Sequence, residues 1–181
     1  MVCRWSALKF PIRGINISDS QTNPLKTSDP ALLWASFFGV GYLKPAPGTW
    51  GSVAALVVWW FAIAPLNLEW QLGIIVVYFL SGWWASSVIT RRYHIDDASQ
   101  IVADEVVGMW LALLLLPHIW WVALLALLLF RALDIAKPGL IGWLDRELKG
   151  GLGVMADDLI AGLAAGGLIW ALLVSLPFEA Y

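Results

Sequence analysis

Three long apolar runs, residues 106–116, 119–130 and 159–176, each abut carboxylates: Asp104-Glu105, Asp134 and Asp157-Asp158. This pairing constrains the chain more than any other feature. A run of about 20 apolar residues spans a bilayer. A charge at the centre of such a helix costs about 2.5–3.5 kcal/mol on insertion scales, and far less at the interface. The acids therefore belong at helix ends, and five of them need a common reason. A bound divalent cation and a phosphate supply one.

The rest of the composition agrees with a membrane setting. Hydrophobic residues make up 60% of the 181 and charged residues only 13%, against about 45–50% and about 25% in soluble domains. This composition predicts an integral membrane protein. A net charge of −2 with no basic cluster argues against nucleic acid as a partner. A single cysteine, Cys3, excludes an intramolecular disulfide framework. Residues 1–29 are polar and lack the apolar stretch of a cleaved signal peptide. They read as an extension ahead of a membrane-embedded domain over 30–181.

Four apolar regions are expected at about residues 49–66, 71–90, 101–130 and 158–176, with a short half-buried helix around 30–39. The third is too long for one crossing and carries Pro117-His118 in its middle. As a hairpin of two helices, about 98–116 and 119–136, it puts stretches 1–48, 91–104 and 131–157 on one side. Those stretches hold all 11 Lys and Arg residues. Lys and Arg mark the cytoplasmic side, so the hairpin is favoured over a single crossing. The expected fold is all-α: a polytopic membrane helical bundle of about five membrane-embedded helices with a central helical hairpin. All five carboxylates then face the cytoplasm.

Asp97 and Asp104 are two turns apart, so they share a helix face if that helix begins early enough. An acidic helix start that complements the dipole suits Asp96-Asp97. It suits Asp104-Glu105 poorly, since Ile101-Val102 and Val106-Val107 flank them. Arg131, Asp134 and Lys137 recur at i, i+3 and i+6. They are either an interfacial ion-pair triplet with snorkelling cations or a phosphate clamp. Gly150-Gly151-Leu152-Gly153 leads to Asp157-Asp158 at the expected start of the last helix, where a close backbone approach and adjacent acids suit a hard cation. Thr49 reads as the N-cap of the first long helix, in Pro47-Gly48-Thr49-Trp50-Gly51-Ser52. Free N–H groups at a helix start bind phosphate, although a plain capped helix start explains the same residues. His118 falls at the outer turn, away from the acids, and His94 is as consistent with a surface role as with a catalytic one.

Three stretches, GVGYLKPAPGTWGS (39–52), IVADEVVGMW (101–110) and FRALDIAKPGLIGWLDRELKGGLGVMADDLIAG (130–162), resemble the phosphatidylglycerophosphatase A family. Their order and spacing carry the resemblance, which extends from about residue 30 to the end. It implies a bacterial, membrane-bound, Mg²⁺-dependent enzyme. Such an enzyme removes the terminal phosphate of phosphatidylglycerophosphate, leaving phosphatidylglycerol. Carried over residue by residue, it points to Thr49, Gly51, Ser52, Asp97, Asp104, Glu105, Asp134, Lys137, Asp145, Gly151, Asp157 and Asp158. The extension has no counterpart in the family, and a catalytic histidine is not matched at His94.

Combining these readings, Glu105, Asp157 and Asp158 are expected to hold Mg²⁺, which favours oxygen ligands and substrate phosphate. Asp104, Asp134 and Lys137 are assigned catalytic roles. Thr49, Ser52, Arg131 and Gly151 are assigned to substrate binding. The expected location is the bacterial cytoplasmic (inner) membrane, multi-pass, with the site facing the cytoplasm. The rivals are a carboxylate-lined transporter and a phosphatase for another phosphorylated lipid. A transporter would place acids on both sides of the midplane with internal repeats, and neither pattern is visible.

Overall fold

The computed structural model describes residues 29–93, 98–139, 142 and 151–175. The extension up to residue 28, His94, Asp97 and Asp145 lie outside the described residues. All regular structure among the described residues is helical. Helix α1 is Pro30–Ala35, followed by a 3-10 turn at Val40–Tyr42. Helix α2, Pro47–Val58, runs on into a π-helical turn, Trp59–Ile63. Then come α3, Leu68–Tyr93; α4, Ala103–Leu113; α5, Trp120–Ala136; and α6, Gly151–Ser175.

Helix α4 is the centre of the molecule. Val106, Val107, Met109 and Ala112 are at most 1% exposed, as expected for a helix that is apolar on every face. Its neighbours are α2, α3, α5 and α6. Two polar devices keep these apolar contacts in register. The Trp110 indole N–H donates to the Ala55 carbonyl across α4 and α2 at 3.0 Å. The buried Gln71 amide reaches the Ala64 and Leu66 carbonyls at 3.2 and 2.9 Å, satisfying acceptors left over where the π-helical turn ends.

The closest approach is between α4 and α6. A Cβ at Gly162 would lie 2.1 Å from the Gly108 carbonyl oxygen. One at Gly166 would lie 2.7 Å from the Ala112 oxygen. Small residues four apart on both helices thus form the kind of seam that brings membrane helices into backbone contact. A Cβ at Gly108 would in turn sit 2.7 Å from the Asp158 carbonyl oxygen. The same seam therefore carries Asp158 to the α4 side.

Helix α1 fixes the approach to α4. Asp29 caps it, accepting from the Ala31 N–H at 3.1 Å. The same carboxylate accepts from the Arg92 guanidinium and, at 3.2 Å, from the Tyr93 hydroxyl. Burial pushes the Asp29 carboxyl up, but these donors together hold it below the usual carboxylate range. The Val102 N–H donates to the Ala35 carbonyl at 2.9 Å, so the entry to α4 is tied to the end of α1.

Several expectations are met in outline and altered in detail. The expected 98–116 helix is only the 11 residues of α4, about 16 Å long at 1.5 Å per residue. The non-helical entry at Ile101-Val102 and the turn before Pro117 trim it. The hairpin itself forms, because the start of α4 meets the end of α5. Two helices, Leu68–Tyr93 and Met155–Ser175, are long and apolar enough to cross a membrane. Thr49 is not an N-cap: α2 begins at Pro47, and Ala46 occupies the cap position without a side-chain bond. Pro47 starts the helix instead, since its fixed φ suits the first turn. Asp157 and Asp158 are not at the helix start either, because α6 begins at Gly151, nearly two turns earlier.

The seam yields a paired prediction. Gly162→Ala overpacks the α4–α6 contact and should destabilise the protein by about 1–3 kcal/mol. Gly167→Ala meets nothing within 4 Å and should gain up to about 1 kcal/mol of helix propensity. Thermal unfolding in one detergent should show the two midpoints moving in opposite directions.

Candidate active site

Three helices deliver charged side chains to one place, and a fourth closes it. Helix α4 contributes Asp104 and Glu105 from its first turn. The last two turns of α5 contribute Arg131 and Asp134, and Lys137 caps that helix. Helix α6 contributes Asp157 and Asp158, which are 5% and 3% exposed. The first turn of α2 closes the site: a Cβ at Gly48 would lie 2.1 Å from Glu105 Oε1 and 3.1 Å from Arg131 Nη1. Only a glycine lets the backbone come this near.

The carboxylates fall into two overlapping groups. Asp104, Glu105 and Asp158 each offer an oxygen within 4.8 Å of the others, and so do Asp134, Asp157 and Asp158. Basic partners stand closer to the second group. Arg131 Nη1 stands 2.6 Å from Asp134 Oδ2 and 3.8 Å from Glu105 Oε1. Lys137 Nζ donates to Asp157 Oδ2 at 2.6 Å. Among the described residues, the buried atoms Asp104 Oδ1 and Glu105 Oε2 have no hydrogen-bond partner. Buried polar atoms are rarely left so. Orphaned carboxylate oxygens beside a third acid form an all-oxygen donor set that fits a hard divalent cation. Asp134 and Asp157 have cationic neighbours at 2.6 Å, whereas Glu105 meets Arg131 only at 3.8 Å, so Asp104, Glu105 and Asp158 are the less neutralised group.

The basic side chains suit an anion. Arg131 Nε is buried without a partner among the described residues, and Nη1 faces Asp134 without hydrogen-bond alignment. A guanidinium with spare N–H groups next to carboxylates is suited to a bidentate oxyanion. Lys137 ends α5 in the left-handed conformation at φ 43°. That backbone is uncommon for a residue with a side chain.

The residues singled out from the sequence are thus largely brought together. Asp104, Glu105, Arg131, Asp134, Lys137, Asp157 and Asp158 share one site. Ser52 is fully buried, and its hydroxyl donates back to the Gly48 carbonyl at 2.8 Å. It braces the α2 turn that carries Gly48. Thr49 is half-buried one residue beyond Gly48. Gly151 stands at the first residue of α6, nearly two turns before Asp157. His118 packs tilted against Trp60, with ring centroids 3.8 Å apart, in the turn between α4 and α5. The sequence placed Gly48 only within the start of the first long helix. The signal was its place one residue into α2, but nothing local revealed that Glu105 would lie against it.

An all-helical protein with a cation-competent acid triad beside an arginine–lysine pair has the parts of a metal-assisted phosphoryl-transfer site. Comparison with known proteins gives this class its family. The sequence model of phosphatidylglycerophosphatase A matches residues 33–173. Phosphatidylglycerophosphatase A of Escherichia coli is 38% identical over 156 residues, 84% of this chain and 88% of that protein. The Haemophilus influenzae protein of the same name is 35% identical over 157 residues, 84% of this chain and 96% of that protein. A Bacteroides thetaiotaomicron protein, provisionally named a phosphatidylinositol-3-phosphatase, is 38% identical over 134 residues, 70% of this chain and 82% of its own. No solved structure matches. The chain belongs to the phosphatidylglycerophosphatase A family, and it is a phosphatase.

The partition of the acids can be measured without turnover. Titration calorimetry with Mn²⁺ should show Asp104→Asn, Glu105→Gln and Asp158→Asn each weakening binding by more than about tenfold, at least the effect of losing an outer-shell partner. Asp157→Asn should weaken it less. Equal losses at Asp104 and Asp157 would contradict the partition.

Proposed function

We propose that the protein hydrolyses the terminal phosphate monoester of phosphatidylglycerophosphate, giving phosphatidylglycerol and inorganic phosphate, at the cytoplasmic face of the bacterial inner membrane. Family membership supports the substrate. The observation that carries the chemistry is the acid triad with orphaned oxygens beside Arg131 and Lys137. Mg²⁺ is the proposed cation, held by Asp104, Glu105 and Asp158. When bound, it supplies Lewis-acid neutralisation of phosphate charge.

The chain's own residues do the rest. Arg131 and Lys137 turn from Asp134 and Asp157 towards the phosphoryl oxygens, and they neutralise charge as the bond to the glycerol oxygen breaks. Asp134, released from Arg131, takes the proton of the attacking water. The water oxygen bonds to phosphorus as the phosphorus–oxygen bond to glycerol breaks, and the leaving glycerol oxygen takes its proton from solvent water. Gly48 lets the first turn of α2 approach, so its N–H groups add a positive helix end. Monoester hydrolysis is among the slowest uncatalysed reactions, so most of the acceleration has to be electrostatic.

The proposed setting is multi-pass. Besides α3 and α6, the composite Pro47–Ile63 helix is apolar, and the α4–α5 hairpin returns the chain to the side it came from. All five carboxylates then lie on the Lys- and Arg-rich side, which the positive-inside rule makes cytoplasmic. The Bacteroides relative favours one second reading, a phosphatase for another phosphorylated lipid.

Purified protein in mixed micelles with Mg²⁺ should release phosphate from phosphatidylglycerophosphate faster than from phosphatidylinositol 3-phosphate. Chelator should stop it. Glu105→Gln and Lys137→Met should each lower kcat by at least about 100-fold, the scale of losing one oxyanion-stabilising group. Release from phosphatidylinositol 3-phosphate alone would move the assignment to the second reading.

A further inference from the structure

A groove of about 920 Å³ runs between α2 and α3, and the site described above makes no use of it. Its walls include Val57 and Val58 of α2, Gly73 and Val77 of α3, and Phe38 beyond α1, with Trp110 of α4 at its base. Four of its lining residues, Trp34, Trp70, Tyr78 and Trp110, carry polar side-chain atoms; those of Trp34, Tyr78 and Trp110 are turned to internal partners, and the surface the groove presents is all carbon. The Trp34 indole donates to Ser81 Oγ at 3.0 Å, the Tyr78 hydroxyl to the Trp34 carbonyl at 3.3 Å, and the Trp110 indole to the Ala55 carbonyl at 3.0 Å. The groove therefore offers a ligand carbon and aromatic faces with no hydrogen bond to form. Val57, Val77 and Phe38 are 47%, 66% and 64% exposed, so it opens outward.

The groove and the acid site share two helices, α2 and α4. Helix α2 places Gly48 against Glu105 and, ten residues on, Val58 in the groove wall. That is about 15 Å along one helix. Trp110 lines the groove and lies six and five residues beyond Asp104 and Glu105 on α4. A ligand with a phosphorylated head at the acids and an unbranched apolar tail would run along α2 from one to the other.

We infer that this groove holds an acyl chain of the phospholipid whose phosphate is hydrolysed at the acid site, which makes Gly73 a specificity-determining position. The inference rests on the proposed lipid phosphatase reading and extends it from head group to tail. Gly73 provides the handle, because a Cβ there meets nothing within 4 Å. Gly73 lines the groove, so a larger side chain there projects from the groove wall.

The test compares full-length wild type, Gly73→Phe and Gly73→Leu in micelles with Mg²⁺. The substrates are dioleoyl phosphatidylglycerophosphate and its deacylated, water-soluble head group. The expected result is a loss of at least about tenfold in kcat/KM for the diacyl substrate, equivalent to about 1.4 kcal/mol. The deacylated compound should be turned over as by wild type. A diacyl lipid with a diazirine in its tail should label the groove segments of wild type and not of Gly73→Phe. Equal losses on both substrates, or no loss on either, overturn the inference. So does a Gly73→Phe protein that changes only from dimer to monomer, which would give the groove to a second copy of the chain. If wild type releases phosphate from neither substrate while the diazirine lipid still labels the groove, the phosphatase reading fails and the tail site stands.

Discussion

The backbone contact between α4 and α6 sets the position of every catalytic group proposed here. Where Gly108 meets Gly162, no side chain separates the two helices. One turn before each glycine stands an acid, Asp104 on α4 and Asp158 on α6. The seam that removes bulk from the interior therefore also fixes the spacing of carboxylates from different helices. Phe130 of α5 closes on the same glycine, since a Cβ at Gly108 would lie 2.6 Å from its ring. Arg131 and Asp134 follow on that helix. A larger residue at Gly108 or Gly162 would pull apart the packing and the site together.

Concentrated acid is costly in an apolar protein, and the arrangement divides the cost. Arg131 faces Asp134, and Lys137 pairs with Asp157. Asp104, Glu105 and Asp158 remain for a cation. The basic pair thus has two uses: it steadies two acids in the protein alone, and it stands ready for a phosphate. Removing one member of a buried pair generally costs far more than the pair contributes. Substitutions at Lys137 should therefore be read for stability as well as for activity.

Much of this arrangement was legible in the sequence, because hydrophobic runs and charges report helix number and polarity directly. The hairpin around Pro117 and the convergence of Asp104-Glu105 with Asp134 and Asp157-Asp158 followed from the Lys and Arg distribution. What the sequence left open was three-dimensional. Asp157 and Asp158 were expected to hold the metal together, as adjacent acids and from the family resemblance; the structure groups both with Asp134 and also pairs Asp157 with Lys137. Thr49 looked like a cap because capping chemistry is local, yet Pro47 opens the helix two residues earlier. Gly48 and the Gly108–Gly162 contact depend on which helices meet, and periodicity within one segment does not report that.

The most direct test of the account is the position of a bound cation. Crystals or oriented samples of the full-length protein with Mn²⁺ should give an anomalous scattering peak within coordination distance of Asp104, Glu105 and Asp158 carboxylate oxygens, with Lys137 still on Asp157. A peak seated between Asp134 and Asp157, with Asp104 and Glu105 uncoordinated, would contradict it.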